Sequence, residues 1–122
     1  MPVAWRLNGP VVTLSVSGVV TNEEIEAGLR AALAATPDSS GLRLLWDARA
    51  SQTPVSSDDM AWRFDLVSSL ADRGILSRIA VLFLDQQGLV RELARVQMQR
   101  ALPGLPCEVF SEPAAALAWL EA

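Results

Sequence analysis

Histidine, lysine and tyrosine are absent from this 122-residue chain, and Cys107 is its one cysteine. Each absence closes off a branch of chemistry. Without histidine there is no Ser-His-Asp relay and no imidazole metal site. Without lysine there is no Schiff base and no phosphate loop with its ammonium group. A lone thiol forms no internal disulfide and no paired-thiolate zinc site, and it suits a reducing compartment. Carboxylates, hydroxyls and arginines remain. No reaction can be assembled from them by spacing, so we expect no enzyme, no catalytic residue, no metal and no cofactor.

Charge excludes a further class. Fourteen acidic residues against ten arginines give a net charge of −4, the wrong sign for a protein that gains affinity by neutralising phosphates. Nucleic acid is therefore not an expected partner. Hydrophobic residues make up 51% of the chain, with a mean hydropathy of +0.28. Even so, runs such as Ile79 to Leu84 fall far short of the ~20 apolar residues a membrane helix needs. The opening Met1-Pro2-Val3-Ala4-Trp5-Arg6 has no basic stretch leading into an apolar segment, so we expect a cytoplasmic protein. The length fits one domain, residues 1–122, with a single continuous core.

Periodicity supplies the architecture. Trp5 to Leu7 and Val11 to Val16 read as two strands joined through Asn8-Gly9, with Val12, Leu14 and Val16 on one face, the pattern of a strand toward a sheet edge. Thr21 and Glu24 form a capping box for a helix whose buried stripe is Ile25, Leu29 and Leu33. Leu42 to Trp46 is the next strand. It closes at Asp47 into a loop reaching Val55, and Ser56 or Ser57 then caps a helix from Asp58 to Asp72. Arg78 to Leu84 is apolar on both faces and reads as the middle of the sheet. Gly88 to Ala101 forms a helix carrying Leu89, Leu93 and Val96 inward. Cys107 to Phe110 is a last strand, and Ser111 is placed to cap a final helix containing Pro113, Leu117, Trp119 and Leu120. Alternation of this kind predicts an α/β fold with a mixed, largely parallel sheet of about five strands flanked by about four helices.

The order of these elements is carried by Gly18-Val19-Val20-Thr21, Leu44-Leu45-Trp46-Asp47, Ile79-Ala80-Val81, Val109-Phe110 and Ala116-Leu117-Ala118-Trp119-Leu120. It resembles the SpoIIAA-like branch of bacterial STAS domains over nearly the whole chain. The resemblance implies a small nonenzymatic module that binds a partner protein, as in anti-sigma-factor antagonists, or an apolar small molecule or lipid, as in related lipid-carrier folds. It also implies a phosphorylatable serine soon after the strand ending at Asp47. Here the chain departs from the pattern: that loop is longer and offers Ser51, Thr53, Ser56 and Ser57 without an Asp-Ser-Ser-Gly stretch at that place. Helix capping accounts for Ser57 equally well.

The residues themselves mark a candidate site in the same region. The loop from Asp47 to Ser57 leaves the carboxyl end of a strand, where α/β sheets commonly present ligands. Asp47 and Arg49 are placed to orient a polar group there, or to form a solvated pair. On the following helix Met60, Phe64, Val67 and Ala71 make an apolar stripe, and Trp62 falls out of phase with it. Three arrangements satisfy that breadth: a cavity shared with Trp46 and Phe83, a patch that meets a second copy in a homodimer, or a wide core contact. Asp47, Arg49, Ser57, Met60, Trp62 and Phe64 are thus the expected ligand or partner contacts. Arg91 and Arg95, one turn apart beside Glu92, read as a wet helix face, and Cys107 as a small buried hydrophobe.

Overall fold

The computed structural model describes residues 3–36, 40–51, 57–84 and 88–122; within these, the side chains of Ser57 and of residues 88–90 fall outside the description. Five strands and four helices alternate after an opening hairpin: β1 (Val3–Asn8), β2 (Val11–Gly18), α1 (Asn22–Ala34), β3 (Leu42–Ser51), α2 (Ser57–Asp72), β4 (Leu76–Leu82), α3 (Gly88–Ala101), β5 (Cys107–Phe110) and α4 (Pro113–Glu121). The sheet order is β1-β2-β3-β4-β5, antiparallel between β1 and β2 and parallel elsewhere. Among the described residues no helix is long and apolar enough to cross a membrane.

This topology dictates where the helices go. Strands β2 to β5 are laid down one beside the next in a single direction, and parallel crossovers have a fixed hand, so all three crossover helices must share one face. They do. Val12, Leu14, Leu44, Trp46, Ile79 and Val81 form one core with Ile25 and Leu29 of α1, Val67 and Leu70 of α2, and Met98 of α3. The opposite face is covered by α4, whose Ala116 and Leu120 pack on Val11, Leu45, Ala80 and Leu82.

Several local expectations are corrected. The hairpin turns on Gly9-Pro10 rather than Asn8-Gly9. Gly9 takes φ +60° between paired Asn8 and Val11, the positive φ that a type II′ turn requires at its first central residue. β2 lies second from the sheet edge, next to β1, but it is not partly exposed as expected, since Val11 through Leu14 are buried. The middle strand is β3, with β4 one place removed. Thr21 and Glu24 do form the capping box, with Glu24 N–H donating to Thr21 Oγ1 at 3.2 Å and Thr21 N–H to Glu24 Oε1 at 3.1 Å. Ser111, by contrast, does not cap α4; Glu112 stands at that position and Pro113 opens the helix, while Ser111 Oγ accepts from Arg91 at 3.3 Å.

Two corrections bear on the site. β3 runs through Asp47 and Arg49 to Ser51, where a loop was expected. The helix α3 is rotated from its expected setting: Leu93 and Val96 are 57% and 36% exposed, while Ala94, Met98 and Leu102 turn toward the sheet. Leu89, expected inward, lies outside the described side chains.

Candidate ligand-binding site

Rotation of α3 leaves space under it. Ala94 is a small residue on the cavity side of α3, and Gln97 lines the rim while staying exposed. α1 touches α2, α2 rests on β4 and α3 on β5. Between α2 and α3 lies a cavity of about 260 Å³. Its floor is Val16, Trp46, Ile79 and Val81; α2 supplies Met60, Arg63, Phe64 and Val67; Phe83 lies beyond the end of β4; and Ala94, Gln97 and Met98 come from α3.

The strand below the cavity is bent to reach it. Ser15 pairs with Asp47 and Ser17 with Ala50, so β3 spends three steps where β2 spends two. That extra residue is a bulge, and it explains how Ala48 and Ser51, an odd number apart, both line the cavity. Asp47 closes the bulge. Its carboxylate accepts from the Arg49 backbone N–H at 3.1 Å and from the guanidinium at 2.9 and 2.8 Å. The Arg49 hydrogen bond is the main cause holding the Asp47 carboxyl below its ordinary value, with desolvation opposing it.

The expected site residues therefore separate. Met60 and Phe64 line the cavity with Trp46 and Phe83, on the three-helix face. Asp47 alternates with Trp46 along β3 and pairs beside Leu82, which is buried on the α4 face, so its carboxylate and Arg49 lie across the sheet from that cavity and satisfy each other. Trp62 is half-buried and is not among the cavity's lining residues. Ser57 begins α2, its side chain outside the described residues, as are Thr53 and Ser56 altogether. Arg91, Glu92, Arg95 and Glu108 sit around a shallow polar depression beside β5, with Arg95 bonded to Glu92. Cys107 is buried in β5, and desolvation pushes its thiol up.

Sequence reading missed Arg63, Gln97 and Ser51 as lining residues. For Arg63 the signal was present: it follows Met60 by three and precedes Val67 by four, in phase with the apolar stripe. Its guanidinium Nε donates to Oδ1 of Asn22 at 3.0 Å, and Asn22 Nδ2 donates to Asp59 Oδ1 at 2.9 Å. Burial lowers the Arg63 pKa and the Asp59 charge partly restores it.

A mixed five-stranded sheet with three helices on one face and one on the other is the architecture of a SpoIIAA-like α/β domain. The chain belongs to the SpoIIAA-like family, whose model matches residues 11–121. Its fold is similar to that of an uncharacterized protein from the DUF3478 family, with a SpoIIAA-like fold, from Shewanella loihica PV-4. The two share 24% identity at a TM-score of 0.65, over 97% of this chain and 91% of that one. Among curated proteins none matches the chain at a significant level.

Proposed function

We propose that this SpoIIAA-like domain is a nonenzymatic, cytoplasmic binding module that holds an apolar small molecule between α2 and α3. The observation that carries this reading is the cavity itself, floored by Trp46 and walled by Phe64, Phe83 and Met60. An open hollow of that size, lined mainly by apolar side chains, leaves them wetted unless an apolar ligand covers them. The small side chain of Ala94 keeps it open while Leu93 sits outside. Binding without catalysis agrees with the missing histidine, lysine and tyrosine, and with a buried thiol held in its protonated form.

Native mass spectrometry of freshly purified protein tests the reading. A retained small-molecule mass, lost on replacing Phe64 with a charged residue, supports it. A chain that carries no such mass and whose tryptophan emission ignores added apolar compounds overturns it; a clean dimer without ligand would point instead to self-association.

A further inference from the structure

The head group of the ligand can be argued from Arg63, an inference that rests on the binding reading above. Among the described residues Arg63 is the one charged side chain in the cavity lining. Asn22 stands between it and Asp59, its amide occupying both partners. Among the described residues Nε is the only nitrogen of Arg63 with a hydrogen-bond acceptor. No buried side-chain nitrogen or oxygen among the described residues lacks a partner, so the remaining Arg63 donors face solvent where a ligand can reach them, and a guanidinium fork suits a carboxylate.

Size narrows the choice further. About 260 Å³ lies just under the ~300–1,000 Å³ of common ligand pockets. It admits roughly nine groups of ~30 Å³, the volume of a water molecule, which matches one alkyl chain of medium length. We propose that the cavity takes a single-chain carboxylate of medium length, its carboxylate on the Arg63 guanidinium and its chain over Trp46 and Phe83. Among the described residues Gln97 and Ser51 are the remaining polar side chains of the lining.

Octanoate, octanol and octylammonium share one chain and differ in charge, so their titration into the full chain isolates the head group. Trp46 reports occupancy through its emission, with a Trp46→Phe variant to assign the signal. Octanoate should bind about tenfold or more tightly than octanol, as one charge-assisted hydrogen-bonded contact supplies, and octylammonium should bind most weakly. Arg63→Gln should erase the octanoate advantage and Arg63→Lys should keep part of it. Equal affinity for octanoate and octanol overturns the carboxylate proposal while leaving an apolar site intact. No binding of any of the three overturns both readings. If Arg63→Gln does not fold, the three-ligand series on the wild type and on Arg63→Lys still decides the matter.

Discussion

The two faces of the sheet are packed to different degrees, and the better-filled face has fewer helices. On the α4 side nine helical residues suffice. Ala116 and Leu120 are fully buried, the Phe110 and Trp119 rings meet at 5.9 Å, and the Arg78 guanidinium lies 5.2 Å over the Trp119 ring. Arg43 donates to the Leu120 carbonyl, and Arg78 to those of Trp119 at 2.8 Å and Ala122 at 3.3 Å, so neighbouring strands supply the C-terminal cap that α4 lacks in its own sequence. Farther along this face the strands turn out Arg6, Thr13 and Ser15 instead of apolar residues. Three helices cover the other side and still leave a hollow. Side-chain size at the facing positions, and not the number of helices, decides whether a face closes.

The sharpest way to break this contrast is to damage the closed face. Leu120→Ala should cost about 2–5 kcal/mol of stability, the range for a buried leucine with little room to relax, measured by urea unfolding. Octanol affinity of the folded protein should stay at its wild-type value, because the sheet separates α4 from the cavity. An equal loss of affinity would mean that the two faces are not independent. Arg78→Met removes the carbonyl cap and the contact over Trp119 while keeping much of the stem, and should cost about 1–2 kcal/mol. An unchanged unfolding midpoint would show that packing alone secures α4.

Filling the hollow face should act in the opposite direction. Ala94→Leu places apolar atoms in open space, and cavity-filling changes commonly add about 0.5–2 kcal/mol. The expected result is a higher melting temperature together with loss of octanol and octanoate binding. Destabilisation with binding retained would mean that α3 has no spare room beneath it.

How legible all this was in the sequence follows from which signals are local. The capping box at Thr21 and Glu24, the bounds of α3 and the alternation of strands and helices depend on neighbours within a few residues, and they were readable. The inward face of α3 was not. Leu89, Leu93 and Val96 make the more conspicuous apolar stripe, and choosing by it points the wrong side of the helix at the sheet; Met98, as large a side chain as leucine, is the one buried, at 6% exposed. The aromatic and methionine half of the site, Trp46, Met60, Phe64 and Phe83, was legible from composition and phase. Its polar half was hidden, since the Asn22 contact to Arg63 joins residues 41 apart. Asp47 and Arg49 are conspicuous in the sequence as charges at a strand end. Their role lay in the bulge, which is visible only once β2 supplies the register.

That pair gives the smallest expected effect and the most specific one. Arg49 lowers the Asp47 carboxyl below its ordinary value, so the folded state binds a proton there less readily than the unfolded chain does. The stability gained is complete above the unfolded carboxylate value, near pH ~4, and is lost as pH falls through the depressed folded value. Its size is modest because the Arg49 side chain is 37% exposed and solvent screens the pair, which keeps it under about 1 kcal/mol. Asp47→Asn retains an acceptor for the Arg49 N–H but not the charge. Urea unfolding of both proteins should show the wild type more stable by that amount above about pH 5, with the gap closing as the pH drops below ~4. A gap that stays constant with pH would mean that the bulge depends on the shape of the Asp47 side chain and not on its ionisation.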